Sequence, residues 1–150
     1  NAINGKNLPI YGDGKQIRDW LYVDDHVKAL MMVAIEGKIG ETYNIGGNNE
    51  IQNIEVVGMI CDILDRLIPE KLNKIDSFRE LITYVEDRPG HDARYAINAN
   101  KIKKDLGWEP RENFESGIQK TIEWYLNNFS WSENILNGNY KFERLGDKSK

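Results

Sequence analysis

The chain has 150 residues, 20 of them Lys or Arg and 24 Asp or Glu, for a formal net charge of −4 at pH 7. This mild acidity disfavours nucleic acid as a partner, since phosphate backbones recruit basic surfaces. The longest apolar run, Ala29–Ile35, is far short of the ~20 residues of a membrane span. The single cysteine, Cys61, excludes an intrachain disulfide and fits a reducing compartment, and one Cys with two His, His26 and His91, cannot build a zinc site.

In chain order, Asn1–Lys6 reads as the end of a helix closed by Gly5, as an internal stretch of a longer protein would open. Leu8–Tyr11 predicts a short strand ending in the turn Gly12-Asp13-Gly14, and Gln16–Val23, rich in aromatic and branched residues, predicts a second. Asp24 or Asp25 is expected to cap a helix whose apolar face is Val27, Leu30, Met31, Val33 and Ala34, with Gly37 and Gly40 ending it. Thr42–Ile45 reads as a strand that stops at Gly46-Gly47. Asn53 is the expected N-cap of a helix in which Ile54, Val57, Ile60, Cys61 and Leu64 recur at helical spacing. Cys61 therefore reads as a core residue rather than a reactive thiol. Glu70–Phe78 predicts a loop with room for a helical turn, Leu81–Val85 a strand, and Asn98–Leu106 a helix closed by Gly107. Phe114–Phe129 is the longest predicted helix, and the Asn- and Lys-rich stretch after Trp131 reads as a loosely held tail. Short strands alternating with helices place the chain in the α/β class, or α+β if taken alone.

No glycine-rich dinucleotide fingerprint, P-loop or nucleophile elbow is present, nor a paired general acid and base. Three segments nevertheless place polar groups where a fold does not require them. Arg18 sits in an otherwise apolar strand, and its guanidinium fork matches two phosphate oxygens; an ion pair with Asp19 is the alternative that the residues alone favour. Asn44–Asn49 with Asn53 offers glycines at a strand end, where a backbone can approach a ligand, although a tight turn and a plain helix cap explain the same residues. Asp87-Arg88-Pro89-Gly90-His91-Asp92 packs cation, anion and imidazole into one rigid turn after a strand. All three suit recognition of an anion such as a pyrophosphate.

Pro9–Gly14, Gln16–His26 and Thr42–Gly47 resemble the extended short-chain dehydrogenase/reductase enzymes that act on nucleotide sugars. Asp87–Asp92 together with Arg94-Tyr95-Ala96-Ile97 is similar in particular to the dTDP-glucose 4,6-dehydratase family. Lys101-Ile102, Leu106–Pro110, Phe114–Ile118 and Thr121–Tyr125 agree with it, so the resemblance covers residues 1–132.

The resemblance implies an N-terminal Rossmann half that holds NAD and supplies the catalytic Tyr-x-x-x-Lys, threonine and Asp-Glu groups. The Asp-Glu pair does not occur in this sequence, and the Tyr-x-x-x-Lys spacing occurs only as Tyr11–Lys15, in the glycine-rich turn after the first predicted strand. The chain is thus expected to be a C-terminal portion: residues 1–132 for nucleotide-sugar binding and 133–150 as a tail, with no catalytic, cofactor-binding or metal residues of its own. By position, Pro9, Ile10 and Tyr11 would lie against thymine and deoxyribose, and Arg18 and Arg88 would grip the pyrophosphate. Asn53 would hydrogen-bond to the nucleotide, and Asp87, Arg88, Pro89, Gly90 and His91 would form the loop closing over the diphosphate. The family's near-terminal tyrosine has no match in Tyr140–Glu143. The implied partner is a dTDP-sugar, in a cytoplasmic enzyme that is a homodimer and feeds rhamnose and other deoxysugars. The chain alone is expected to be inactive, and to self-associate through apolar faces around Trp20, Tyr22 and the Val27–Ala34 helix. Two alternatives stand beside this: another nucleotide-sugar epimerase or decarboxylase, and a non-catalytic nucleotide-binding module.

Overall fold

The computed structural model describes residues 1–135. The Tyr140–Glu143 segment and most of the predicted tail lie outside them. The chain opens on a turn in which Gly5 N–H reaches the Ala2 carbonyl and Lys6 N–H the Asn1 carbonyl, both at 2.9 Å. With Gly5 at φ +63° this is the double closure that ends helices, and it tucks Ala2 into the core.

Two strand pairs follow. β1 (Leu8–Tyr11) pairs in parallel with β4 (Ile82–Val85), Leu8 opposite Ile82 and Tyr11 opposite Val85. β2 (Ile17–Asp19) pairs antiparallel with β3 (Glu50–Gln52). The helices are α1 (Val23–Glu36), α2 (Asn53–Leu67), α3 (Asn100–Leu106), α4 (Phe114–Asn127) and α5 (Phe129–Asn134), with 3-10 turns at Leu72–Lys74 and Phe78–Leu81. One core joins Cys61, Ile63 and Leu64 of α2 to Phe78, Leu81 and Ile122. A second gathers Ala29, Ala99, Ile102 and Trp108. Cys61 is fully buried and burial pushes its thiol up to about 11, so it is the core residue its helical spacing suggested. No helix among the described residues is long and apolar enough to cross a membrane.

Four local expectations are corrected. The strand expected over Gln16–Val23 stops at Asp19. Trp20 instead gives its N–H to the Asn49 carbonyl and its indole N–H to the Ile51 carbonyl, and helix begins three residues later. Thr42–Ile45 forms no strand, because no strand among the described residues pairs with it and the Thr42 carbonyl accepts from Lys101 Nζ instead, at 2.9 Å; Tyr43 and Ile45 pack on the second core. Neither Asp24 nor Asp25 caps α1. Asp25 turns inward, 1% exposed, and accepts the N–H groups of Arg111 (2.8 Å) and Glu112 (2.9 Å). That anchor rotates the buried stripe of α1 to Asp25, Ala29, Met32 and Val33, so Val27, Leu30, Met31 and Ala34, expected inside, face outward. The long C-terminal helix ends at Asn127, and Phe129 begins a separate short one.

Candidate functional site

β1 and β4 run parallel, so their C-terminal ends lie side by side, the edge at which open α/β sheets hold ligands. Gly12 N–H extends the ladder by bonding the Val85 carbonyl at 3.0 Å. At φ +60° Gly12 then turns the chain against Asp87: a Cβ there would lie 2.7 Å from Asp87 Oδ2. Two loops, Tyr11–Gly14 and Asp87–Asp92, are thereby held against each other at one edge.

Asp87 organises the second loop. Its carboxylate accepts His91 Nδ1 (2.6 Å), the Arg88 N–H (2.8 Å) and Gln16 Nε2 (3.1 Å). The His91 hydrogen bond, aided by the Arg88 N–H, holds the carboxyl below the usual carboxylate range. An ionised carboxylate only accepts and a guanidinium only donates. With Arg88 Nη2 at 3.0 Å from His91 Nε2, the imidazole is therefore assigned as the neutral Nδ1–H tautomer. Its side chain is 5% exposed, while the Arg88 guanidinium lies 5.1 Å over the Tyr11 ring. Arg88 has no carboxylate within ion-pair distance among the described residues, and most of its donors remain open.

Arg18 overturns the ion-pair reading. Asp19 gives its two carboxylate oxygens to the N–H groups of Gly47 (2.9 Å) and Asn49 (2.8 Å) instead. The Arg18 guanidinium donates to the carbonyls of Ile17 (2.7 Å) and Asp92 (3.0 Å), and stacks 4.7 Å from the Tyr95 ring centre. Tyr95 in turn donates its hydroxyl to Asp92, and this bond raises the phenol above its usual range. Both arginines are thus tied to the same loop, one at Arg88 itself and the other at Asp92.

Asn53 is not a helix cap. Gln52 occupies that position, with Glu55 accepting its N–H at 3.1 Å, and Asn53 is the first residue of α2. Its backbone N–H bonds the Gln16 carbonyl at 3.0 Å, which brings it beside the same edge. Gly46 and Gly47 are buried against Asp19 and Trp20, so they serve packing. Of the β1 residues, Ile10 is buried at 5% while Pro9 and Tyr11 face outward; a ligand against this strand meets Pro9 and Tyr11 side chains. Pro89 and Gly90 are exposed at the loop tip.

Two residues of this cluster are not marked as site residues by the sequence. Gln16 reads there only as the start of a strand, although its place two residues before Arg18 puts both on one face. Tyr95 enters only through the family resemblance. A separate apolar groove of about 740 Å³, lined by Trp20, Tyr22, Phe114 and Trp124 among others, contains none of the expected ligand residues. The described residues also hold no group of three or more His, Cys, Asp or Glu placed to bind a metal.

The first turns of α1, α2 and α4 carry Asp24 and Asp25, Glu55, and Glu115 respectively, acidic groups that disfavour a dinucleotide's pyrophosphate at those three helix N-termini.

A family profile described as GDP-mannose 4,6 dehydratase matches residues 1–121. The dTDP-glucose 4,6-dehydratase of Neisseria meningitidis serogroup B is 60% identical over 146 residues, covering 97% of this chain and 41% of the relative. The crystal structure of the Bacillus anthracis dTDP-glucose 4,6-dehydratase in complex with NAD superposes with a TM-score of 0.74 at 49% identity, over 87% of this chain and 38% of that one. The Streptomyces venezuelae dTDP-glucose 4,6-dehydratase with NAD and TYD bound gives 0.73 at 37% identity, over 87% and 37%. The chain thus spans about two fifths of the length of the relatives it matches.

Proposed function

The chain belongs to the GDP-mannose 4,6 dehydratase family, and from that membership we propose that it is the nucleotide-sugar-binding portion of a dTDP-glucose 4,6-dehydratase. The net reaction of such an enzyme removes water from dTDP-glucose to give dTDP-4-keto-6-deoxyglucose, with NAD held by parts of a longer protein. Within it, residues 1–132 bind and orient the nucleotide. One observation carries this reading: Arg18 and Arg88, neither neutralised by a carboxylate among the described residues, are tied to one loop at the C-terminal end of parallel strands. Tyr11 and Pro9 face the nucleoside, Asn53 lies alongside, and Asp87 to His91 fold over the diphosphate.

Titration calorimetry on the 150-residue chain tests it. dTDP is expected to bind at least tenfold more tightly than thymidine, because two charge-assisted contacts of ~1.5–3 kcal/mol each favour the diphosphate. Equal affinities would sink the anion site. UDP run alongside separates a dTDP enzyme from the epimerases and decarboxylases that use UDP-sugars, and dTDP-glucose incubated with the pure chain is expected to remain unconverted.

The same reading places the protein in the cytoplasm, as a homodimer when complete. It also gives the outward stripe of α1, with Val23 61%, Leu30 51%, Met31 58% and Ile35 75% exposed, an apolar partner. Contiguous apolar surface of this kind drives association. Sedimentation velocity of the 150-residue chain is expected to show oligomers that Leu30→Glu reduces; a monodisperse monomer at high concentration would contradict it.

A further inference from the structure

The geometry points to Gln16 as a positioning residue that, through Asp87 and His91, aims the Arg88 guanidinium. The inference rests on the anion-site reading above and extends it to a residue that would not itself touch the diphosphate.

Gln16 is 8% exposed and reaches Asp87 Oδ2 with Nε2 at 3.1 Å, while its Oε1 is buried with no hydrogen-bond partner among the described residues. Rotating the amide would set Oε1 against a carboxylate that only accepts, so the observed orientation is the one that suits Asp87. An amide that leaves its own acceptor orphaned is a poor choice for packing alone, because unmet buried polar atoms destabilise. What the orientation secures is the Asp87 carboxylate. Gln16 engages Oδ2, leaving Oδ1 to take His91 Nδ1 and the Arg88 N–H. Asp87 then fixes the His91 tautomer with its lone pair at Nε2, which Arg88 Nη2 meets at 3.0 Å. Gly12 admits the arrangement, since any side chain there would strike Asp87. Four side chains in series therefore run from a buried amide to a guanidinium lying over Tyr11.

The experiment is a double-substitution cycle on the 150-residue chain, using Gln16→Met and Arg88→Ala singly and together, with dTDP and thymidine as ligands. Methionine keeps the volume and removes the orphaned acceptor, which offsets the lost bond to Asp87, so this variant is expected to melt close to the parent. It should lose roughly 3- to 10-fold in dTDP affinity and nothing for thymidine, and add no further loss when Arg88 is already alanine. Long-range proton–nitrogen spectra of the free chain should show His91 leaving the Nδ1–H tautomer in Gln16→Met, a readout that needs no ligand. Equal losses in both backgrounds, equal losses for both ligands, or an unmoved His91 tautomer would each overturn the inference. Arg88→Ala alone separates the two levels. If it weakens dTDP while Gln16→Met does not, only the positioning role fails; if it changes nothing, the anion-site reading fails and takes the inference with it.

Discussion

Alanine in place of Arg88 is expected to weaken dTDP binding roughly 10- to 100-fold, and alanine in place of Arg18 by a similar factor. A hydrogen bond to a charged group is worth ~1.5–3 kcal/mol, and each 1.4 kcal/mol is a factor of ten. Arg88 spends one donor on His91 and keeps the rest open, so most of its bonding capacity is available to a diphosphate. Arg18 has already given two donors to the Ile17 and Asp92 carbonyls, and its loss should also loosen the loop at Asp92. Its alanine variant should therefore show a small fall in melting temperature that Arg88→Ala lacks. Lysine at either position should rescue only part of the affinity: an ammonium keeps the charge but not the planar fork, nor the stacking on Tyr95 or Tyr11. Thymidine, lacking the diphosphate, should bind all variants alike. Calorimetric titration of both ligands decides it. Alanine variants that bind dTDP as tightly as the parent would return Arg18 and Arg88 to structural roles.

What can be read from the sequence divides along physical lines. Local devices are legible: Gly5 and Gly107 at positive φ, the apolar periodicity that buries Cys61, the strand before Asp87, and the crowded turn from Asp87 to His91. Each is settled within a few residues of chain. Pairings across the chain are not legible. The carboxylate Asp19 beside Arg18 suggests an ion pair, but glycine and asparagine N–H groups 28 and 30 residues away take it. Asp25 looks like a cap, yet it serves N–H groups 86 and 87 residues on, and by doing so turns the other face of α1 to solvent. Gln16 has no marker at all, because its partner Asp87 is 71 residues distant. The site's charged groups announce themselves; the neutral amide that organises them does not.

The largest stability effect is expected at Gly47, a residue that resembles a ligand-facing turn in sequence and proves to be a packing point. A Cβ on Gly47 would sit 2.0 Å from the Trp20 carbonyl oxygen and 2.9 Å from its carbon. Backbone, unlike a side-chain end, cannot swing aside. To admit the methyl group the Gly46–Asn49 segment must lift, breaking the Asp19 bonds to Gly47 and Asn49 and the Asn49 Nδ2 bond to Trp20. Overpacking of ~1–3 kcal/mol plus about 1 kcal/mol for each of the three lost bonds gives about 4–6 kcal/mol for Gly47→Ala. For a chain of this size that is a fall of about 10–20 °C in melting temperature. Gly90→Ala provides the contrast. Gly90 has φ +70°, and a Cβ added there would meet nothing within 4 Å, so alanine costs only backbone strain of about 1–2 kcal/mol. Both glycines lie in loops whose sequence suggests ligand-binding turns, and thermal denaturation followed by calorimetry tells them apart. Gly47→Ala should also cost dTDP affinity, because Asp19 and Trp20 continue directly from Arg18. If Gly47→Ala melts with the parent, the close approach to Trp20 is not a constraint on the fold, and the Gly46-Gly47 turn is free to serve a ligand after all.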